Sequence, residues 1–428
     1  MKKVFLGMIC VLCGLYACKS DELTSKDDME QTVVPPPKEE ATEKAPLIPR
    51  EDIILTQGEQ AVLEGNNAFA FELLKDVFRN EEEEANIFLS PLSATLALAM
   101  LNNGAAGETQ TQIQTALGYG EQTRDDVNGY FQKMVQAMQK LDASVSFESA
   151  NALWIADNLP VFPSFKEVNQ TYFEAEARNV DFTDPATKGV INEWIAEKTH
   201  DLIPEFLDGL DPYTRMFLVN ALYFKGDWTL HFDPENTKDA PFHNANGAAT
   251  DVKMMDFAEE VDLNYRSKET FELVELPYGN EAFGMLLLLP REDASLASIV
   301  EDLEEADLSG LHLQRLKLRL PRFKIEYTKT LNEDLMALGM TSMFSDYADF
   351  SQISSEGLMV SSVLQKTFIE VNEEGTEAAG VTGIVMTTLA EPALKPVIPV
   401  LEFNRPFIYF IKEQSTGSVF FAGVIRNL

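Results

Sequence analysis

Apolar residues recur at three- and four-residue spacing through much of the first half of this 428-residue chain, and alternate or run together through much of the second. Phe71, Leu74 and Phe78 fall on one helical face, so the spacing predicts a helix over Asn66–Phe78. Ser90 before Pro91 reads as a helix cap and first position. The apolar stretch Ala94–Met100 behind it predicts a helix buried nearly all round, ended by Gly104 and Gly107. Further helices are predicted at Thr109–Leu117 (stopped by Gly118), Asp125–Leu141, Thr187–Thr199 and Lys329–Leu338. Strands fit Ser144–Ile155, Met216–Phe224, Phe271–Leu276, Phe283–Leu289, Lys317–Tyr327, the β-prone stretch Leu358–Val371, Phe407–Lys412 and Ser418–Ile425. The last two flank Gln414-Ser415-Thr416-Gly417, a hairpin turn. Helices dominate early and strands late, without βαβ alternation. The expectation is an α+β domain with largely antiparallel sheet.

One stretch, 375–403, fits none of these elements. Structureless loops beyond about 12–15 residues are uncommon in compact domains. Yet from Thr376 to Ala390 the only charge is Glu377, and Val, Thr, Ile and Met dominate the second half, which is strand chemistry. Alternate residues of a strand face opposite sides. Thr376, Ala378, Gly380, Thr382, Ile384, Met386 and Thr388 therefore share an uncharged face whose first members are small, and Glu377 falls on the other. The stretch has the pattern of a strand that could be buried on one side. A flexible Gly-containing linker is the alternative.

The chain carries 69 acidic and 34 basic residues, a formal charge of −35, and most of the excess lies in the body. Such a field disfavours nucleic acid, anionic lipid headgroups and sulfated glycosaminoglycan as partners. The three cysteines, Cys10, Cys13 and Cys18, all lie at the extreme N-terminus, so the body holds no disulfide, thiol nucleophile or cysteine metal site. Residues 1–18 read as a targeting segment: Lys2 and Lys3, then an apolar run too short for a comfortable membrane span. Its end, Leu15-Tyr16-Ala17-Cys18, resembles a bacterial lipobox. That implies cleavage before Cys18, lipidation of its sulfur, and an exported protein anchored to the bacterial envelope, in the outer membrane or outside the cell. Residues 19–58 are polar and acidic with Pro35-Pro36-Pro37, and read as a tether. The folded body is placed at 59–428.

Catalysis is hard to build from these residues. There is no Gly-x-Ser-x-Gly elbow, no His-Glu-x-x-His helix and no phosphate-binding Gly-Lys-Ser/Thr loop. His200, His231, His243 and His312 have no second His at metal-ligand spacing. No cofactor and no metal site is expected.

On five segments in order, the body resembles the serpin family of protease inhibitors over essentially all of 59–428. The segments are Asn86-Ile87-Phe88-Leu89-Ser90-Pro91-Leu92-Ser93, Asn103 to Thr109, Val219 to Trp228, Phe403-Asn404-Arg405-Pro406-Phe407, and Phe421-Ala422-Gly423. The resemblance implies three mainly antiparallel sheets, about eight or nine helices and an exposed reactive-centre loop in a monomer that is not an enzyme. Most members are suicide substrates. The protease attacks the loop and forms an acyl-enzyme. The cut loop then inserts as a new strand of the main sheet and traps the protease covalently. Glu373 and Gly375-Thr376-Glu377-Ala378-Ala379-Gly380 resemble the inhibitory hinge. Counting from Gly375 places the scissile bond at Leu389–Ala390, with Met386 and Thr388 as alternates and an elastase-, chymotrypsin- or subtilisin-like protease as target. Counting back from Phe403 points near Lys395 instead. Arg322 and Trp228 match the region where the sheet is first breached, and Ser90, Ser93 and Asn220 match the region where it opens. Gln365 stands where many relatives have a histidine. The alternative function is a non-inhibitory, serpin-like binding or chaperone protein.

Overall fold

The computed structural model describes residues 49–376 and 398–428. Its helices are α1 (Gln57–Asn80), α2 (Pro91–Asn102), α3 (Gly107–Ala116), α4 (Arg124–Met138), α5 (Pro163–Phe173), α6 (Ala186–Lys198), α7 (Leu296–Asp302) and α8 (Asn332–Ala337). The strands are β1 (Ile87–Leu89), β2 (Val145–Ala156), β3 (Glu176–Val180), β4 (Met216–Asp227), β5 (Lys238–His243), β6 (Ala249–Asp256), β7 (Val261–Ser267), β8 (Phe271–Tyr278), β9 (Phe283–Pro290), β10 (His312–Pro321), β11 (Phe323–Thr330), β12 (Leu364–Val371), β13 (Gly375–Thr376), β14 (Val400–Glu402), β15 (Phe407–Glu413) and β16 (Val419–Ile425).

They form three sheets. A six-stranded sheet has the order β11-β12-β13-β4-β2-β3. A second runs β1-β16-β15-β9-β8-β7 and ends on the first half of β10. The second half of β10 leaves it to pair with β6 and β14, and β5 completes this third sheet. The core lies where α1 and α2 pack on the second sheet and that sheet backs the first: Leu73, Leu96, Leu286, Leu288, Phe410 and Phe420 are fully buried.

Local chemistry explains most boundaries. α1 begins nine residues before the expected start because Thr56 and Glu59 form a capping box, each side chain bonded to the other's backbone N–H. Ile53 is already buried, so the packed body reaches into the stretch read as tether. At α2 the Ser90 hydroxyl accepts from Ser93 N–H and Pro91 opens the helix, as the sequence predicts. Four expectations need correction. Lys317–Tyr327 is two strands in two sheets, broken at Pro321–Arg322. Lys329 belongs to β11, and α8 starts only at Asn332. The β-prone stretch from Leu358 becomes strand only at Leu364. The segment read as loop to Phe403 ends in β14, which pairs in parallel with Lys317–Arg319. The fold class stands: eight α-helices and three sheets among the described residues.

Candidate functional site: a slot in the six-stranded sheet

β13 is only two residues long, yet it occupies the middle of a sheet. Gly375 and Thr376 pair antiparallel with Asp227 and Gly226 of β4, and Thr376 pairs with Val371 of β12. β4 and β12 are both antiparallel to β13, so they run parallel to each other. Beyond Thr376 they continue side by side, and among the described residues no strand pairs with either on the facing edge. The result is a slot one strand wide. Its edges carry Asn220, Leu222 and Phe224 on β4 and Gln365, Thr367 and Ile369 on β12. At the far end it meets a cavity of about 740 Å³ lined by Phe206, Leu218, Val360 and Leu364. A strand laid there would pair with the main-chain groups of both neighbours, each bond contributing about 0.5–1.5 kcal/mol net.

The entrance is built by close backbone approach. A Cβ on Gly375 would sit 2.1 Å from the Gly226 carbonyl oxygen, and a Cβ on Gly226 would meet the Tyr278 ring at 2.8 Å. Both positions must be glycine for β13 to lie against β4. Thr376, the first member of the uncharged face, points inward: it is 3% exposed and its hydroxyl lies 2.8 Å from the Tyr278 hydroxyl. Burial pushes the Tyr278 phenol up beyond its ordinary range, so it stays neutral. Trp228 stacks on Tyr278 with ring centroids 4.4 Å apart, while its Nε1 donates to the Asn372 carbonyl at 2.9 Å and its backbone N–H to Glu374.

Glu373 is 3% exposed at the root of this turn. Its Oε1 accepts from Arg322 Nε at 2.8 Å and Nη2 at 2.6 Å, and from the Thr237 hydroxyl. Burial alone would raise the carboxyl's pKa, but the hydrogen bonds from Arg322 and Thr237 outweigh it and hold the group below the usual range. Arg322 owes its place to the break between β10 and β11: its backbone N–H donates to Lys253 of β6, and its side chain turns to Glu373.

Farther down the slot the two edges are linked by side chains through the start of α2. Gln365 Nε2 donates to the Ser90 carbonyl at 2.8 Å, and Ser90 N–H donates to Gln365 Oε1 at 3.0 Å. The Ser90 hydroxyl donates to the Phe420 carbonyl. Ser93 Oγ donates to the Asn220 carbonyl at 3.3 Å, and Asn220 Nδ2 donates to Asn151 Oδ1 at 2.6 Å. An amide at 365 thus uses both a donor and an acceptor on one residue's backbone.

The structure brings Arg322, Trp228, Glu373, Gly375 and Thr376 together at the entrance, and Ser90, Ser93, Asn220 and Gln365 together below it. Glu377, Ala378, Ala379, Gly380, Met386, Thr388, Leu389, Ala390 and Cys18 lie outside the described residues. Sequence reading missed Tyr278, Thr237 and Asn372. Asn372 carried a usable signal: its Oδ1 accepts from Glu374 and Gly375 N–H, the habit of an Asn opening a turn. Among the described residues no group of three His, Cys, Asp or Glu side chains could hold a metal ion.

Comparison with known proteins gives one answer. A family model described as Serpin (serine protease inhibitor) matches residues 64–428. Iripin-5 of Ixodes ricinus is 36% identical over 378 residues, covering 85% of this chain and 94% of its own. The native-state crystal structure of tengpin, a thermophilic serpin, superposes with a TM-score of 0.78 at 31% identity, covering 89% of this chain and 98% of that one. Human thyroxine-binding globulin complexed with thyroxine also gives 0.78, at 27% identity and with 86% and 99% covered.

Proposed function

This chain belongs to the serpin family, whose members are generally serine protease inhibitors, and from that premise we propose that it inhibits serine endopeptidases as a suicide substrate. The observation that carries the reading is the slot headed by Gly375–Thr376: a strand already begun, flanked by edges of β4 and β12 that no other described strand pairs, and an entrance only glycine fits. The protease serine would attack the carbonyl of Leu389, the amine of Ala390 would leave, and the ester would hold the enzyme to the loop. The uncharged residues alternating after Thr376, which already lies between β4 and β12, would then enter the slot and carry the acyl-enzyme along the sheet. Leu389 fits an elastase-, chymotrypsin- or subtilisin-like specificity pocket. Export and lipid anchoring at Cys18, in a bacterial envelope, complete the reading, supported by the apolar run and Leu15-Tyr16-Ala17-Cys18. The likeness to thyroxine-binding globulin favours a second reading, a non-inhibitory binding protein.

Incubation with elastase-, chymotrypsin-, trypsin- and subtilisin-type enzymes separates the two. Inhibition gives a covalent complex stable to boiling detergent with at least one enzyme, and releases a C-terminal peptide that begins at Ala390. Cleavage by every enzyme without a complex would replace the inhibitor by the binding protein.

A further inference from the structure

Where β8 turns towards β9, three consecutive residues hold β13, β4 and the lead-in to β2. The Tyr278 hydroxyl bonds the Thr376 hydroxyl of β13. Gly279 N–H donates to the Asp227 carbonyl at the end of β4, at 2.8 Å. Asn280 N–H donates at 2.7 Å to Asp142 Oδ2, just ahead of β2, and its side-chain amide donates to the Leu141 carbonyl at 2.7 Å. The strands so held share one register: Val145 of β2 faces Gly226 of β4, and Gly226 faces Thr376 of β13. Thr229, just past β4, doubles the contact. Its hydroxyl donates to the Gly279 carbonyl at 3.0 Å and its N–H to the Pro277 carbonyl. Asp142 itself is 3% exposed. Its Oδ1 accepts from Ser144 N–H at 2.8 Å and from Ser144 Oγ at 2.7 Å, an Asx turn that launches β2. A local turn needs only that oxygen. The other reaches the backbone of a different sheet, 138 residues along the chain. The approach is so close that a Cβ on Gly279, at φ +44°, would sit 2.1 Å from Asp142 Oδ2. A buried carboxylate is tolerated only where donors meet it, so Asp142 and the turn fix one another.

We propose that Asp142 is a positioning residue for strand entry: through the turn at Tyr278–Asn280 it locks the entrance ends of β2 and β4 to the second sheet, and so sets the register in which β13 is extended. The next residues of β13 would pair with β4 just before Gly226, because the two strands are antiparallel. A slip of one residue there would send every entering side chain to the wrong face. The uncharged face that begins at Thr376 is useful only if β4 is held still while the following residues arrive. Asp142 does this from outside the slot, touching neither the loop nor a protease.

The role in trapping rests on the function proposed above, but the lock is a property of the intact protein, and the test separates them. Hydrogen–deuterium exchange at pH 7 is compared for wild type, Asp142→Ala and Asp142→Asn at residues 225–229 and 372–376, with residues 408–412 of the second sheet as reference. Asp142→Ala should lower protection at the entrance about tenfold or more, the scale of hydrogen bonds to a charged acceptor, and leave the reference within about twofold. Asn keeps one acceptor oxygen, enough for Ser144 or Asn280 but not both, so its loss should be smaller, about threefold. The Asn variant also carries the comparison if the Ala variant does not fold. Equal loss in both regions makes Asp142 an ordinary stabilising residue, and unchanged protection at the entrance removes the lock; either result overturns the proposal. In a second arm, moles of inhibitor consumed per protease trapped, with whichever enzyme of the panel forms the complex, should rise about threefold in the variant, since misregistered strands yield cut inhibitor and free protease. A loosened entrance with that ratio unchanged overturns the role in strand entry. A loosened entrance in a protein that traps no protease leaves the lock standing and removes the inhibitor reading, and the role in trapping with it.

Discussion

The two ends of the slot are closed by different means. At the entrance the closure is main chain and aromatic: β13 is hydrogen-bonded on both sides, Trp228 stacks on Tyr278, and two glycines bring the backbones together. Below, β4 and β12 share no strand pairing among the described residues, and side-chain bonds through Ser90 and Ser93 of the α2 start link them. The entrance is a piece of sheet; the lower part is a latch. A latch of this kind is lost for a few kcal/mol, whereas each residue added to the strand above gains sheet bonds on both sides. The comparison locates where entry must be easy, at Thr376, and where opening must be paid for, at Gln365.

The largest effect is expected at the entrance. Thr376→Arg would place a guanidinium where a 3% exposed hydroxyl meets Tyr278. The charge keeps the first residue of the strand out, so cleavage by the target protease should continue while the complex disappears. The association rate for covalent trapping should fall more than about 100-fold, roughly 3 kcal/mol or more. A variant that still traps at the wild-type rate would mean that strand entry does not begin at Thr376.

Next is the root of the turn. Arg322→Ala leaves the Glu373 carboxylate buried with the Thr237 hydroxyl and its own backbone N–H to bind it. Arg322 is 43% exposed, so the cost is discounted to about 1–2 kcal/mol. Unfolding temperature at pH 7 should drop by about 1–3 °C. The pH dependence gives the sign. Glu373 is held below the usual carboxylate range when folded, so its contribution is complete above the unfolded carboxyl value of about 4.3 and is lost as pH falls through the lower folded value. Wild type should lose this increment in acid, and Arg322→Ala, having already lost it, should show a shallower acid slope in the same melting series.

Much of this arrangement was legible in the chain, and the parts that were not share a cause. The serine cap of α2, the long strands and the parity of Thr376 follow from local spacing. The break between β10 and β11 was also written there: the inward residues are Leu316, Leu318 and Leu320, then Phe323, Ile325 and Tyr327, so the alternation slips by one at Pro321. Reading Lys317–Tyr327 as one strand ignored that slip and the proline. The Thr56–Glu59 box was visible too. β5, β6 and β7, by contrast, bury only six of their 21 residues, and β13 exists only because β4 and β12 flank it. No local pattern announces a strand whose reason is a distant pair of edges. The reach of Tyr278 and Thr237 to the hinge is of the same kind.

The latch offers a smaller test with the opposite logic, because breaking it should favour opening. Gln365→Ala strands the Ser90 N–H in a buried place, at about 1–3 kcal/mol, while the Ser90 carbonyl keeps its bond from Ala94. The intact protein should melt lower. After the loop is cut and inserted, the new strand rather than the latch joins β4 to β12, so the cleaved variant should lose less than the intact one relative to wild type. An equal loss in both forms would make Gln365 an ordinary core residue.

Smallest of all is Gln365→His, which trades the amide for an imidazole. A neutral imidazole has one donor and one acceptor, so it can serve the Ser90 carbonyl or N–H, and with a favourable tilt both. Above pH 8 the variant should lie within about 1 kcal/mol of wild type. In acid the comparison opens. A protonated imidazole has no acceptor, and the Ser90 N–H would lose its partner. The folded state therefore favours the neutral ring, and its pKa falls below the unfolded value. Stability then falls as pH drops below that unfolded value, since the unfolded chain binds the proton more tightly. Wild type, with an amide that never titrates, should show no such step. Melting curves from pH 8 to pH 5 decide it. A step in the histidine variant alone makes the glutamine a way of keeping the latch independent of pH, whereas matching curves would mean that the Ser90 N–H finds another acceptor.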